Sequence, residues 1–270
     1  EGKELVNMNG AGTLLDPYQI VTGADLASAT GAHYYKVMND INISSYSNWS
    51  PLNVANGAVI DGNGKAINGL KISRTTSTTP VGLFGENYGT IKNLRINYGS
   101  VKGNNNTGAF VGRNYGIIRK CGVCYVNTCE GASNVSSFVG NNEGLIEDCF
   151  STGKAHARKE GYVAGFVGRN IGTIRRCYCA VEVSSISTSF KGGFVGYSAD
   201  GTIELCAHDT SVNGGLQDAG NFSGQKDLPG VYGLDSSSMK NKNVAPFTSW
   251  NFDTTWQIGT ADYNNSYFIH

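Results

Sequence analysis

A pattern of apolar and polar positions repeats five times in the middle of the chain. Each copy has two apolar residues, a glycine, a short polar stretch with a second glycine, and then an isoleucine. The first glycine of each copy falls at positions 85, 112, 140, 168 and 196, so the copies lie 27, 28, 28 and 28 residues apart. Short runs of Phe, Val and Ile separated by Asn and Gly predict a strand, a tight turn and a second strand in every copy.

Equivalent residues of these copies are expected to stack in rows. One unit cannot bury its apolar side alone, whereas stacked units bury it and pair their backbone groups about 4.8 Å apart. Two rows are apolar and one carries amides: Leu83, Phe110, Phe138, Phe166 and Phe194; Ile91, Ile118, Ile146, Ile174 and Ile203; Asn87, Asn114, Asn142 and Asn170. The sequence therefore predicts an all-β fold, a right-handed parallel β-helix with about 28 residues per coil.

Two charged rows follow the isoleucines. They consist of Lys92, Arg119, Glu147, Arg175 and Glu204, and of Asn93, Lys120, Asp148, Arg176 and Leu205. From the second coil onward the sign alternates, and opposite charges on adjacent strands stabilise one register over its alternatives. The adjacent Arg175 and Arg176 are therefore expected to pair with acids of neighbouring coils, which argues against a nucleic-acid patch.

The whole chain, 1–270, is predicted to form a single β-helix domain. Residues 1–53 would supply an N-terminal cap and the first coil, with a short helix over about 22–30. Thr22 and Asp25 suit a capping box there, although a surface loop remains the alternative. Residues 54–212 would form the stacked coils. Residues 213–270 lose the repeat and would form a C-terminal cap, with the aromatic stretch 250–268 folded back as the final coil or cap.

The repeated units resemble the GLUG motif, a repeat close to Gly-Gly-Leu-Val-Gly-x-Asn-x-Gly-x-Ile-x-Asn-Cys. Residues 164–177 and 191–196 match it best, with Phe where the family usually has Leu. Asn93 keeps the family's Asn, but later coils depart from it with Lys120, Asp148, Arg176 and Leu205. The flanking stretches also resemble such proteins: 16–26, 35–43, 59–70 and 250–256. This resemblance implies a β-helix of bacterial surface or secreted proteins, including non-catalytic regions of immunoglobulin A peptidases and adhesins, with no common catalytic residue.

Composition narrows the classes of partner. The 21 basic and 21 acidic residues give a formal net charge of zero, so no global field attracts nucleic acid or anionic lipid. No apolar run approaches the roughly 20 residues of a membrane-spanning helix. The chain starts at Glu1, which suits a mature protein whose signal peptide has been removed, so we expect secretion or cell-surface attachment. Other domains of a larger polypeptide are compatible with this organisation.

The seven cysteines are unlike a disulfide framework. Leu94 occupies the same position as Cys121, Cys149, Cys177 and Cys206, so this row accepts a plain hydrophobe and predicts stacked, buried thiols. Cys121-x-x-Cys124 and Cys177-x-Cys179 resemble metal-ligand spacings, but the row already explains two of these residues, and we predict no metal site. A disulfide between Cys124 and Cys129, which lie outside the row, stays open.

The sequence carries no recognisable catalytic pattern. The chain has no His-Glu-x-x-His, and His208 is expected to be a hydrogen-bonded core or turn histidine. The main rival hypothesis is a carbohydrate-active β-helix enzyme, a polysaccharide lyase or a glycosidase, which would need clustered acids. The outward rows instead set a base beside most acids, Asp61 lies in a turn-like Asp-Gly-Asn-Gly stretch, and Asp200 is isolated. We predict no enzyme activity and no cofactor.

Three tyrosines at the turns, Tyr88, Tyr115 and Tyr197, are candidate ligand-binding residues. A stripe of such side chains would suit contact with a glycan or a host protein, although stacking that merely stabilises the turns is the alternative. The sequence thus favours a non-catalytic binding or adhesion module. The carbohydrate-active enzyme and a passive spacer in a larger surface protein remain the alternatives.

Overall fold

Three parallel sheets form the walls of a β-solenoid of about seven turns, each of roughly 28 residues. A computed structural model describes residues 8–186, 190–198, 200–220, 227–259 and 267–270. Residues near the chain's start build the entry to this solenoid: β1 Tyr18–Ile20, α1 Gly23–Ser28, β2 Tyr34–Val37, β3 Ile41–Asn42, β4 Leu52–Val54 and β5 Val59–Ser73.

The predicted capping helix is present as α1, slightly shorter than expected. The Thr22 hydroxyl accepts a hydrogen bond from the Asp25 amide at 3.1 Å, and the Asp25 carboxylate accepts one from the Thr22 amide at 2.8 Å. Each side chain thus satisfies an amide that the first helical turn leaves unpaired. Leu26 on the buried side of the helix joins the main core.

The repeats supply most of the strands. In chain order they are β6 Phe84–Asn87, β7 Thr90–Lys102, β8 Asn105–Gly108, β9 Val111–Asn114, β10 Ile117–Arg119, β11 Gly122–Gly131, β12 Ser133–Ser136, β13 Val139–Asn142, β14 Leu145–Glu147, β15 Phe150–Ala157, β16 Tyr162–Ala164, β17 Val167–Asn170, β18 Thr173–Arg175, β19 Tyr178–Ser185, β20 Phe190–Gly192, β21 Val195–Ser198, β22 Thr202–Glu204 and β23 Cys206–Asp209.

The coils that begin with β8, β12, β16 and β20 visit the three sheets in a fixed order. The third sheet is built from β8, β12, β16 and β20, and the second sheet from β4, β6, β9, β13, β17 and β21. The first sheet has 14 strands and takes two segments from most coils, such as β10 and β11. The chain therefore runs from the third sheet through the second to the first, and then starts the next coil.

The predicted apolar rows lie inside the solenoid. Ile91, Ile118, Ile146, Ile174 and Ile203 pair in register from coil to coil, and Ile60 extends this row into the preceding coil. The rings of Phe110, Phe138, Phe166 and Phe194 stack with centroids 4.8–5.1 Å apart. These spacings match the distance between neighbouring strands, so the strand register itself sets the ring stacking.

The asparagine row forms a continuous chain of amide hydrogen bonds. Asn87 donates to Asn114 at 2.7 Å, Asn114 to Asn142 at 2.8 Å, and Asn142 to Asn170 at 2.8 Å. All four side chains are buried, and each side-chain carbonyl from Asn114 to Asn170 accepts from the coil before it. Because buried amides are costly unless they are hydrogen-bonded, this row favours only the in-register stack.

The second charged row marks a corner of each coil. Asn93, Lys120, Asp148, Arg176 and Leu205 all adopt a left-handed backbone conformation, with φ between 50° and 55°. Asn tolerates this conformation better than most residues, which accounts physically for an asparagine at this position. The corner separates two segments of the first sheet within one coil, such as β14 and β15.

The C-terminal part of the chain leaves the solenoid and folds back along its side. It contains β24 Val231–Leu234, the short 3-10 helices Ser238–Lys240 and Phe247–Ser249, β25 Gln257–Ile258 and β26 Phe268–Ile269. β24 adds a parallel strand beside β23. The segment after it, called here the tail (residues 238–259 and 267–270), packs against the outside of the first sheet.

A second apolar core holds the tail in place. Outward-facing Phe150 and Tyr178 contact Trp250, Trp256 and Phe268 of the tail. The Tyr178 hydroxyl donates to the Phe268 carbonyl at 2.5 Å, and the Trp250 indole donates to the Leu205 carbonyl at 3.0 Å. The first sheet is thus buried on both faces where the tail lies on it.

Candidate functional site

Tyr88 and Tyr115 form a stacked pair at the turn that joins the second sheet to the first. Their ring centroids are 4.7 Å apart and their planes differ by 9°. The Arg113 guanidinium lies 4.6 Å from the centre of the Tyr115 ring, and 43% of Tyr88 is exposed. We call these two residues the tyrosine pair. The same row continues with Glu143 and Ile171, so the aromatic surface at this corner covers two coils.

Tyr197 does not extend the tyrosine pair. It is in register with Arg169 of β17, and through β13 and β9 with Arg113, whereas Tyr115 stands two residues beyond Arg113. The three tyrosines therefore do not form the expected single stripe. Tyr197 comes directly after its repeat glycine, whereas Tyr88 and Tyr115 come three positions after theirs, so Tyr197 lies in a different row. The ligand-binding role of each tyrosine remains a prediction.

A second aromatic group surrounds Tyr197. The Tyr162 ring stacks on Tyr197 with centroids 5.0 Å apart and on Phe190 with centroids 5.5 Å apart. The Arg169 guanidinium lies 6.0 Å from the Tyr197 ring. We call Tyr162, Phe190 and Tyr197 the aromatic cluster. Sequence reasoning missed Tyr162 and Phe190, although their spacing of 28 residues, one coil, was a usable signal.

The aromatic cluster lies where the second and third sheets meet. Glycines make this junction tight: a Cβ on Gly140 would lie 2.4 Å from the backbone of Asn106, and one on Gly168 would lie 2.5 Å from that of Asn134. Tyr162 belongs to the third sheet and Tyr197 to the second, so the two sheets fold toward each other. We call this junction the axial crease, because it follows the solenoid axis.

Two cavities open at the N-terminal end of the axial crease. One has a volume of about 520 Å³ and is lined by residues that include Arg74, Glu86, Asn106 and Arg113. The other, of about 440 Å³, is lined by residues that include Tyr46 and Trp49. Ser50, Pro51 and Asn53 line both cavities.

All seven cysteines are buried, and none forms a disulfide. In the predicted row each thiol donates to a carbonyl two residues earlier, as Cys149 does to Glu147 at 3.1 Å. Burial raises the pKa of the Cys149, Cys177 and Cys206 thiols well above the ordinary value. These residues are therefore unreactive core side chains rather than nucleophiles or ligands.

The open question about Cys124 and Cys129 is settled by their orientation. Cys129 packs in the main core inside the solenoid, whereas Cys124 packs in the second core beneath the tail. Both residues belong to β11, and their side chains point to opposite faces of the first sheet. A disulfide between them is absent because their sulfur atoms cannot meet across the sheet.

Outward acids are held by bases of neighbouring coils. Arg175 contacts Glu147 at 3.1 Å, and Arg176 contacts both Asp148, at 2.8 Å, and Glu147. Burial would raise the pKa of Glu147, but hydrogen bonds and charges from the two arginines lower it below its ordinary value. Asp61 behaves in the same way: hydrogen bonds from Asn93, the Asn63 amide and Lys92 outweigh burial and lower its pKa.

His208 is buried near the last coil with both ring nitrogens in contact. Nε2 lies 2.9 Å from an Asp218 oxygen, and Nδ1 lies 2.8 Å from the Asn213 amide nitrogen. These contacts make His208 the hydrogen-bonded core histidine that the sequence suggests. Within the described residues, no group of three or more His, Cys, Asp and Glu side chains is arranged to hold a metal ion.

The fold and its exposed rows define a parallel β-solenoid repeat protein. No family model matches the chain, so the resemblance to the GLUG repeat stays a prediction. Halomucin from Haloquadratum walsbyi is 32% identical over 132 residues, which is 41% of this chain but 1% of halomucin's length. A provisionally named immunoglobulin A1 protease from Bacteroides ovatus, solved by crystallography, has a TM-score of 0.64 at 19% identity, over 96% of this chain and 94% of that one. This structural likeness shows a shared fold.

A helix long and apolar enough to cross a bilayer is absent from the part of the chain that the structure describes.

Proposed function

We propose that the chain is a non-catalytic binding or adhesion module of a secreted or cell-surface protein. The main support for this proposal is the arrangement of aromatic rings on the surface of the sheets. In the tyrosine pair and in the aromatic cluster these rings are stacked on one another and remain accessible to solvent. Tyrosine offers a large contact area with few rotatable bonds, so little entropy is lost when a ligand binds. Rings already fixed by stacking are better preorganised still.

The state of the acids supports the non-catalytic part of the proposal. A general acid that works near neutral pH needs a raised pKa, whereas the pKa of Glu147 and of Asp61 is lowered. Glu143 is held by Arg113, whose Nε donates to it at 2.7 Å. Acids that are tied to arginine or lysine in this way favour binding and register over proton transfer.

Two resemblances support the proposed location. The GLUG-like units imply an exported bacterial protein, and the name of the Bacteroides ovatus neighbour denotes a protease of immunoglobulin, an extracellular substrate. A stack of coils without a catalytic centre would suit the non-catalytic part of such a protein. The passive spacer predicts the same fold and location, but gives no role to exposed aromatic rings.

The purified chain should be tested for binding and turnover in parallel. Binding is measured on an array of glycans and on immobilised extracellular host proteins, and turnover by a reducing-sugar assay with and without Ca²⁺. We expect saturable binding without turnover. Two double variants test the aromatic rings: one combines Tyr88→Ala with Tyr115→Ala, and the other combines Tyr162→Ala with Tyr197→Ala. The variant that removes the contacting rings should weaken ligand binding by about tenfold, the scale of one stacking contact.

Tyr98→Ala serves as the matched control. Tyr98 is an exposed tyrosine of the first sheet that also stacks on a neighbour, Tyr125. Turnover that disappears on Glu143→Gln would contradict the proposal in favour of the carbohydrate-active enzyme. A folded chain that shows neither binding nor turnover would leave the passive spacer as its function.

A further inference from the structure

We propose that the axial crease binds a linear, uncharged glycan along the solenoid axis. This inference rests on the proposed binding function and names its ligand class and its site. It moves the contact surface away from the tyrosine pair, which lies at the other edge of the second sheet, and onto residues of the second and third sheets that face each other.

Two rows of side chains border the axial crease. One consists of Glu86, Arg113, Asn141, Arg169 and Tyr197, which pair in register on β6, β9, β13, β17 and β21. The other consists of Asn106, Asn134, Tyr162 and Phe190 on β8, β12, β16 and β20. Asn106 and Arg113 line one cavity at one end, and Tyr162 stacks on Tyr197 at the other, so the rows face each other throughout.

The length of the crease favours a polymer over a small molecule. Five strands of the second sheet at a spacing of about 4.8 Å extend roughly 19 Å along the axis. The two cavities of about 520 and 440 Å³ continue the crease beyond β6, since both are lined by Ser50, Pro51 and Asn53. Each row sets one side chain per coil along the crease, and a polymer with regularly spaced units can contact such a row over its whole length.

The side chains match a hydroxyl-rich ligand. Asn134 donates to Asn106 at 2.8 Å, and Asn141 donates to Glu143 at 2.9 Å, so these amides are held in place before a ligand arrives. Each amide still offers both donor and acceptor capacity, which sugar hydroxyls require. The aromatic cluster supplies flat apolar faces against which the C–H side of a sugar ring can pack.

The charges favour an uncharged chain. Glu86 is the neighbour of Arg113 in the second-sheet row, and Glu143 reaches Arg113 from the row of the tyrosine pair, so this side of the crease presents carboxylates together with guanidinium groups. A polyanion would meet both carboxylates, and a polycation would meet Arg113, Arg169 and Arg74. An uncharged glycan avoids both penalties and still accepts hydrogen bonds from the guanidinium groups.

The test uses linear hexasaccharides of glucose, mannose, galactose and N-acetylglucosamine, together with an oligogalacturonate of equal length, in calorimetric titrations. We expect one uncharged hexasaccharide to bind, with Kd falling at least about tenfold from disaccharide to hexasaccharide. Tyr162→Ala should weaken binding by about tenfold, and Asn134→Ala by about threefold to tenfold. Tyr162→Phe should restore it because the ring stack is kept.

Tyr98→Ala, at an exposed tyrosine of β7, and Asn127→Ala, at an exposed amide of β11, are the controls and should bind as the wild type does, and Tyr88→Ala is titrated beside them. Far-UV circular dichroism reports whether each variant is folded. Binding that depends on Tyr88 but not on Tyr162 would overturn the crease and leave the proposed binding function intact. Binding of host proteins alone, or a salt-sensitive preference for oligogalacturonate, would also overturn the crease as a site for uncharged glycans and leave the proposed binding function intact. Failure of every glycan and every protein to bind would overturn both.

Discussion

The cysteine row shows how a reactive side chain becomes inert in a solenoid. Each thiol occupies a position that Leu94 fills in the first repeat, and Leu94 and the thiols are all fully buried. Burial raises the pKa of the Cys149, Cys177 and Cys206 thiols, so the nucleophilic thiolate is scarce at neutral pH. Sulfur here is a small apolar group that fits the space between coils.

We therefore expect Cys149 and Cys177 to resist alkylation in the native protein. Iodoacetamide at pH 8 should leave both unmodified for hours, whereas all seven cysteines should react after unfolding in guanidinium chloride. Mass spectrometry of tryptic peptides measures the extent of reaction at each position. Rapid labelling of either residue without unfolding would contradict the buried row.

The asparagine row predicts a large effect from a small change. Asn142→Asp replaces an amide that donates to Asn170 and accepts from Asn114 with a carboxyl group. The ionised form would face the Asn170 oxygen inside the protein, so we expect the free energy of unfolding to fall by about 2–4 kcal/mol. Urea unfolding gives this value, and the exposed Asn127→Asp should change it by less than about 0.5 kcal/mol.

At the scale of single residues, sequence predicted what repetition controls. The isoleucine, phenylalanine, asparagine and cysteine rows follow from a constant period, because a strand side chain repeats its environment whenever the coil closes. The row of Tyr197 was misjudged, since its distance from the repeat glycine differs from that of Tyr88 by two residues. The left-handed corner at Arg176 carries no consistent residue type and could not be predicted.

At the scale of elements, the ion pairs between neighbouring strands make the stability of the stacked coils depend on pH. The folded pKa of Glu147 and of Asp61 is below the ordinary values of 4.5 and 3.8. The unfolded chain therefore takes up these protons first. The stabilisation is complete above about pH 4.5 and is lost as the pH falls through the folded values.

Arg176→Leu should reduce this dependence. The change removes two contacts with acids, and leucine already occupies the same corner in the last repeat, at Leu205. We expect a loss of about 2 kcal/mol in the free energy of unfolding at pH 7 and a smaller loss at pH 3, measured by urea titration. Lys154→Leu is the control, because more than half of both side chains in the Lys154–Glu182 pair is exposed. It should change stability little at either pH.

The element that sequence could not place is the tail. Phe150 and Tyr178 directly follow cysteines of the inner core. Successive strand side chains point to opposite faces, so these two residues face outward next to the inward cysteines, and the tail covers them. Placing the tail requires knowing that its aromatic residues pack against the outer apolar surface of the first sheet. The sequence pattern gives no distance between these two distant segments, so it could not predict this contact.

At the scale of the whole molecule, the two cores should respond separately to mutation. Trp256→Ala removes a fully buried ring that contacts Phe150 and Tyr178. We expect a loss of about 3–5 kcal/mol in the stability of the docked tail, while the solenoid keeps its β signal in circular dichroism. Cys124 beneath the tail should then react with iodoacetamide, whereas Cys149 should stay protected. Equal labelling of both residues would show that the cores unfold as one.

The tail also determines how the molecule would carry mechanical load. Hydrogen bonds between coils run along the solenoid axis, so an axial pull loads them one rung at a time. Each coil occupies about 4.8 Å of the axis but holds roughly 28 residues, enough for about 90–100 Å of stretched chain. Cys124, Phe150, Tyr178 and Ala207 stand on four consecutive coils and share one core with the tail. Those four coils would therefore unfold together at a higher force. The coils before them would unfold and extend first.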